Sequence, residues 1–113
     1  MPASSEKTKP NYTVKSVETV IAGSDVQARI FTLAPGDVIP WHYHSETTDY
    51  YFVLSGRLTI ERRTPGGRRV LAVGERYQIN AGNAHEVSND DSTDCRFLLL
   101  QGVGQFDWIK ARG

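Results

Sequence analysis

Turn-forming residues recur along the chain at short intervals and leave little room for a long helix. From Tyr12 onward, runs rich in β-branched and aromatic residues, such as VQARIFTL, DYYFVLS and CRFLLLQ, alternate with turns such as APGD, LSGR, AVGE and NAGN. Glycine, proline, asparagine and aspartate favour tight turns, and no stretch before residue 103 repeats apolar residues with a helical period. Many short strands at close spacing predict an all-β sandwich or barrel.

The chain length predicts one domain. Its 113 residues can bury a core without disulfide support. Residues 1–11, MPASSEKTKPN, are polar and contain two prolines, so we expect a flexible arm there and a barrel domain over residues 12–113. The segment RLTIERRTPGGRRVLAV predicts a hairpin whose tip is Pro65, Gly66 and Gly67. In the tail, Phe106 and Trp108 predict a segment that closes the barrel or contacts another subunit.

Composition argues against several classes of partner. Thirteen basic and thirteen acidic residues give a formal net charge of zero, so nothing global attracts nucleic acid or an anionic membrane. The single cysteine, Cys95, excludes an internal disulfide, and its expected role is that of a small buried hydrophobe. No apolar run approaches the length of a secretory signal or a membrane span, so we expect a cytoplasmic protein.

The three histidines of the chain are the candidate metal ligands. His42 and His44 are one residue apart in a strand-like run, and side chains two apart in a strand share a face at roughly 6.6 Å along its axis. His85 follows the turn NAGN, and Asp49 follows His44 by five residues. A single strand histidine is more often a hydrogen-bonded structural residue than a ligand. The occurrence of all three in one pattern favours a site for Fe, Mn, Ni, Zn or Cu.

These residues resemble the two sequence motifs of the cupin family. The first motif, G-x5-H-x-H-x3,4-E-x6-G, is matched here by Gly36, His42, His44, Asp49 and Gly56 with every spacing kept. The second, G-x5-P-x-G-x2-H-x3-N, is matched by Gly74, Asn80, Gly82, His85 and Asn89. Aspartate replaces the usual glutamate at position 49, and asparagine replaces proline at position 80. Since aspartate is one methylene shorter, it could contact an ion directly or through a water molecule.

The resemblance implies a fold, a metal and an assembly. It implies a single-domain jelly-roll (double-stranded β-helix) barrel of the small bacterial type, all-β, with one divalent transition metal, Fe, Mn, Ni or Zn, in its mouth. The ligands would be His42, His44, Asp49 and His85. It also implies a homodimer. It says less about the reaction, because the family includes dioxygenases, isomerases, epimerases, lyases, decarboxylases, sugar-binding regulators and storage proteins, and a shared fold does not determine function.

Each of three other residues near the motifs has two possible roles. Tyr51 shares the face of Asp49 and is a candidate acid/base or positioning group, although a core tyrosine with a satisfied hydroxyl is the more frequent case. Glu46 could replace Asp49 if the connecting loop curled inward, but its register favours a solvated carboxylate. Trp41 has outward parity and could shape the rim if the strand bulges after Pro40.

Strand parity predicts the walls of the pocket and suggests its ligand. The predicted wall residues are Phe31, Leu33, Ile39, Tyr51, Val53, Tyr77 and Phe97. With no arginine or lysine expected to point inward, we predict a small ligand that is largely uncharged or chelates the metal. The leading hypothesis is a metal-dependent enzyme of dioxygenase, isomerase or lyase type. The alternatives are a non-catalytic module that binds or senses a small ligand, and a barrel without bound metal.

Overall fold

The computed structural model describes residues 12–112 and shows ten β-strands and no helix among them. Tyrosine, valine, isoleucine, phenylalanine and threonine, which suit a half-buried pleated surface, are frequent in these strands. The strands are β1 (Ser16–Ala22), β2 (Val26–Leu33), β3 (Val38–Tyr43), β4 (Thr48–Ser55), β5 (Leu58–Arg62), β6 (Gly67–Leu71), β7 (Arg76–Ile79), β8 (His85–Ser88), β9 (Cys95–Gly102) and β10 (Ile109–Lys110).

The strands form two antiparallel sheets of five strands each. The first sheet has the order β1-β2-β9-β4-β7, and the second has the order β10-β3-β8-β5-β6. Strands distant in sequence are therefore neighbours, as β2 and β9 are, paired from Val26 opposite Gly102 to Leu33 opposite Cys95. This arrangement confirms the predicted all-β jelly roll. The arm predicted for residues 1–11 lies outside the described residues.

The space between the sheets is filled by apolar side chains that alternate along the strands. Phe31 of β2 and Phe97 of β9 are directly opposite each other, and their rings stack with centroids 5.2 Å apart. Six of the seven predicted wall residues are buried in this core, and Tyr77 packs against its edge. The wall residues thus point inward as predicted, and they pack together as part of the core.

Two turns explain why glycine is required in the motifs. Gly56, between β4 and β5, has φ +74°, and a Cβ at this position would lie 2.5 Å from the carbonyl oxygen of Asp94. Gly82, before β8, has φ +82°, and its N–H donates a hydrogen bond of 2.8 Å to the carbonyl of His44. Left-handed backbone and close approach both favour glycine. The second turn joins the two halves of the candidate site.

The structure also contains the predicted hairpin and the predicted buried cysteine. The hairpin is confirmed, since β5 pairs with β6 from Leu58 opposite Leu71 to Arg62 opposite Gly67, but Gly67 belongs to β6 and not to the tip. Cys95 is fully buried. Among the described residues, no helix is long and apolar enough to cross a membrane.

Candidate metal centre

A bulge in β3 directs the first motif histidine into the barrel. Ile39 pairs with Val87 and His42 with His85, and the register shifts between these two pairs. Ile39 and His42 are three residues apart, so regular alternation would place them on opposite faces, yet both are buried. Trp41, within the bulge, is half-buried and stacks under the Arg63 guanidinium at 5.0 Å, outside the site.

Four predicted ligands meet at one end of the barrel. His42 lies near the end of β3 and His44 just after it, Asp49 near the start of β4, and His85 at the start of β8. One potential ligand atom from each residue lies within 4.8 Å of those of the other three, and all four side chains are 1–3% exposed. These residues, called here the four-residue cluster, could hold a metal ion.

The hydrogen bonds of the three histidines suit metal ligation. Each Nδ1 is bonded to a backbone carbonyl: His42 to Pro40 at 2.7 Å, His44 to Asp107 at 2.5 Å, and His85 to Asn83 at 2.8 Å. A carbonyl only accepts, so Nδ1 carries the proton in every ring. The Nε2 lone pairs are then available to a metal in each neutral ring, which is the arrangement that metal sites use to fix the tautomer of their histidines.

Asp49 contacts its neighbours directly despite its short side chain. Oδ2 lies 3.1 Å from Nε2 of His85 and 3.3 Å from Nε2 of His44. Burial opposes its ionisation, but the charge and hydrogen bond of His44, together with His85, hold the pKa of Asp49 well below its usual range. The cluster therefore contains a carboxylate.

His42 and His44 differ in how readily they take up a proton. Burial, together with the neighbouring His85 and His44, lowers the pKa of His42 to about 3, so this ring is neutral. Burial also disfavours charge on His44, but the attraction of Asp49 and its hydrogen bond outweigh burial and raise the pKa of His44. The position next to Asp49 therefore favours a positive charge. A metal ion in the cluster would displace the proton that His44 takes up and would supply that charge instead.

Tyr51 is a partner of Asp49. Its hydroxyl donates a hydrogen bond of 2.8 Å to Oδ2, and the side chain is 1% exposed. Burial and the nearby Asp49 charge raise the pKa of Tyr51 well above its usual range, so the phenol keeps its proton. This contact orients the carboxylate, and a catalytic role for Tyr51 stays a prediction.

Two residues of the site were missed by sequence reasoning. Gln101 of β9 is 2% exposed, and its Nε2 donates to Oδ1 of Asp49 at 2.9 Å. Its Oε1 accepts hydrogen bonds from Nε2 of Gln27, at 3.0 Å, and from Nη2 of Arg29. The expectation that no basic residue points inward was therefore wrong. Parity could have found both, because Arg29 is two residues before Phe31 and Gln101 is four after Phe97.

The tail covers the cluster, which agrees with one of its two predicted roles, that of closing the barrel. The Trp108 ring stacks on His42 with centroids 4.9 Å apart, and Phe106 lies 5.4 Å from His44. The side chain of Asp107 accepts from the N–H and hydroxyl of Ser45. We call residues 103–108 the covering segment. It shields the cluster from solvent.

Two other predicted residues lie outside the cluster. Glu46 accepts a hydrogen bond from the N–H of Gln105 at 3.0 Å and so holds the covering segment. Asn89, the last residue of the second motif, is fully buried and donates to the carbonyls of Leu33 and Thr93, so it braces the connection between β8 and β9.

Comparison with known proteins identifies the fold independently. The family model described as "Cupin domain" matches residues 29–101. No significant match was found among curated proteins. A conserved double-stranded β-helix protein from Klebsiella pneumoniae has a similar structure, with TM-score 0.77 and 19% identity over 100% of this chain and 97% of that one.

Two structures with stated activities are also similar. An oxalate oxidase in complex with glycolate has TM-score 0.70 and 20% identity, covering 84% of this chain and 54% of that one. The DMSP lyase DddQ from Ruegeria pomeroyi has TM-score 0.68 and 19% identity, covering 77% and 46%. At such identities these structures support the fold alone.

Proposed function

The chain belongs to the cupin family, and on that premise we propose that it is a metal-dependent enzyme acting on a small organic molecule at the four-residue cluster. The observation that carries the proposal is the orientation of the histidines. All three bind backbone carbonyls through Nδ1, the Nε2 atoms of His44 and His85 lie 3.1–3.3 Å from one buried carboxylate, and His42 offers a ligand atom to the same cluster. A group of core histidines with purely structural roles has no need for such convergence.

The donor set indicates which metals would fit. Three imidazoles and one carboxylate suit Fe, Mn, Ni or Zn better than Ca or Mg, which prefer oxygen ligands. A divalent ion bound there would supply Lewis acidity toward oxygen atoms of a substrate. We propose that Asp49 is a direct ligand, since its carboxylate contacts Nε2 of His44 and His85.

The protein's own groups would prepare the site for chemistry. Tyr51 and Gln101 each donate to one oxygen of Asp49 and so fix its orientation. The rings of Phe106 and Trp108 exclude bulk water, which strengthens electrostatic interactions within the site. Tyr51 is also the proposed acid/base group, because its hydroxyl lies at the cluster, 2.8 Å from Oδ2 of Asp49.

The reaction type is proposed at the level of class. Oxidase and lyase chemistry both occur on similar barrels, as the oxalate oxidase and the DMSP lyase show. We therefore propose dioxygenase, isomerase or lyase activity on a small ligand.

Elemental analysis tests the metal claim. The wild-type protein is incubated with Fe(II), Mn(II), Ni(II) or Zn(II), dialysed and assayed for bound metal, beside a His42→Ala/His44→Ala double variant. Asp90→Asn, which removes an exposed carboxylate, serves as control. We expect one ion per chain in the wild type and control and none in the double variant. Equal metal in all three would overturn the claim.

Turnover separates the enzyme from a binding module. Metal-loaded protein is assayed with catechols, sugar acids and enolisable keto acids. Conversion that is lost in the double variant would support the proposal. Tight ligand retention without conversion would instead favour a module that binds or senses the ligand.

We also propose the homodimer that the family resemblance implies. Strand β1 lies at the edge of the first sheet, and Val17, Val20 and Ile21 are 46–68% exposed along it. An exposed apolar edge strand favours pairing with a second copy. The cytoplasmic location stays a prediction from the sequence.

A further inference from the structure

Arg29 is a half-buried cation without a carboxylate partner among residues 12–112. Its guanidinium lies between the rings of Phe31, at 5.0 Å, and Phe106, at 5.2 Å. Nη2 donates to Gln101, while the buried Nε has no hydrogen-bond partner within the described part of the chain. A buried charge and an unpaired N–H group both carry a free-energy cost, so this arrangement favours an incoming anion.

A single side chain, that of Gln101, connects the guanidinium to the four-residue cluster. Gln101 accepts from Arg29 through Oε1 and donates to Oδ1 of Asp49 through Nε2. Arg29 is therefore separated from a predicted metal ligand by one carboxamide. A small molecule could contact both sites at once.

One aromatic ring covers both sites. Phe106 lies 5.4 Å from the His44 ring and 5.2 Å from the Arg29 guanidinium. Arg29 also lines an open cleft of about 350 Å³ together with Tyr12, Thr13, Val14 and Val17. A ligand that enters from this cleft and displaces Phe106 would reach the guanidinium first and the cluster next.

We infer that Arg29 binds a carboxylate group of the substrate, so that the substrate class is small organic acids held between Arg29 and the four-residue cluster. The inference rests on the proposed function, since it places the other end of the acid at the cluster. Arginine presents a planar fork of N–H donors that matches a carboxylate.

The surroundings favour a carboxylate over a phosphate. Gln101, Gln27, Tyr12 and Tyr51 near the guanidinium are neutral, and the carboxylate of Asp49, whose charge also acts on Arg29, is separated from it by Gln101. One positive charge among neutral donors and aromatic rings balances a monoanion. A dianion would need a second cation, and the described residues supply none beside Arg29.

Matched acids and amides test the inference on the intact protein. Mn(II)-loaded protein is titrated by calorimetry with L-malate and 2-hydroxyglutarate, and with analogues in which only the distal carboxylate is an amide. The same titrations use Arg29→Gln, Arg29→Lys and the control Arg96→Gln. Arg96 is exposed on β9, on the opposite face of the same sheet. Inorganic phosphate is a further probe.

We expect at least one acid to bind about 10- to 100-fold more tightly than its amide, both to the wild type and to the control Arg96→Gln. Charge-assisted hydrogen bonds allow a difference of this size. Arg29→Gln should lose this preference, and Arg29→Lys should retain part of it. The wild-type comparison stands even if Arg29→Gln unfolds. Equal affinity for acid and amide in both pairs, no binding of either acid, or tighter binding of phosphate would overturn the inference.

A second measurement separates this inference from the metal proposal. Bound metal is determined for every variant, and the acids are also titrated into metal-free protein. Arg29→Gln should keep its metal while losing the acid preference. If the wild type takes up no metal but still prefers acids through Arg29, the metal proposal fails and the carboxylate site stands.

Discussion

Three backbone carbonyl groups decide which nitrogen of each histidine faces the four-residue cluster. The carbonyls belong to Pro40, Asn83 and Asp107, so the β3 bulge, the turn before β8 and the covering segment each orient one ring. A hydrogen bond at Nδ1 fixes the tautomer and the ring plane. Backbone conformation, as much as residue identity, therefore arranges the cluster so that it could hold a metal.

The sequence predicted the four residues of the cluster but not the residues that support them. Motif spacing identified His42, His44, Asp49 and His85 because ligands on short strands and tight turns follow fixed intervals. Gln101 and Arg29 come from β9 and β2, outside both motifs, and polar side chains in strands usually face solvent. Only the pairing of β2 with β9 and of β9 with β4 brings them to Asp49.

Tyr51→Phe tests the positioning role of the tyrosine. The change removes the hydrogen bond to Oδ2 of Asp49 and leaves the packed ring in place. We expect metal affinity to fall about 10-fold, as for other residues that orient a ligand, and the free energy of unfolding to fall by about 1–2 kcal/mol. Chelator competition and urea unfolding measure the two effects.

The neighbouring residue provides a matched control. Tyr50 belongs to the same strand but is 37% exposed on the other face, so Tyr50→Phe should change neither quantity. If Tyr51→Phe keeps wild-type metal affinity but loses turnover, Tyr51 acts in proton transfer and not by positioning Asp49.

At the scale of elements, the covering segment distinguishes this site from an open barrel mouth. The segment is held at three places. The N–H of Gly104 donates to the carbonyl of Asp25, the N–H of Gln105 donates to Glu46, and Asp107 accepts from Ser45 through its side chain and from His44 through its carbonyl. The aromatic pair in the tail predicted that a segment closes the barrel or meets another subunit. Which of these two roles the tail takes depends on contacts between residues about sixty positions apart, and local sequence patterns do not encode such contacts.

Phe106→Ala should open the route to the cluster. Removing the ring uncovers His44 and Arg29 but leaves every backbone hydrogen bond of the segment. We expect a chelator to remove bound metal at least several-fold faster, with a smaller change in affinity at equilibrium. Stopped-flow measurement with a chromogenic chelator gives the rate. Gln105→Ala, an exposed neighbour, should keep the wild-type rate, and an unchanged rate in Phe106→Ala would show that the ring does not limit access.

At the scale of the whole molecule, the site joins the two sheets. His42 and His85 belong to the second sheet, whereas Asp49 and Gln101 belong to the first. Turn residues and strand parity predicted the class of fold and the inward faces, because both depend on local chemistry. They could not predict how tightly the barrel is filled, which depends on contacts such as the stacking of Phe31 on Phe97.

Because its ligands come from both sheets, a bound metal should stabilise the entire fold. An ion that binds the folded state alone adds about 2.7 kcal/mol at a free concentration 100 times its dissociation constant. For a domain of this size, that corresponds to a rise in Tm of about 10 °C or more. Calorimetry of wild type with and without Zn(II) or Mn(II) measures the shift, and the His42→Ala/His44→Ala variant should show almost none. An equal shift in both proteins would mean that the ion stabilises the barrel from a different site, whereas no shift in either would argue against a metal that links the two sheets.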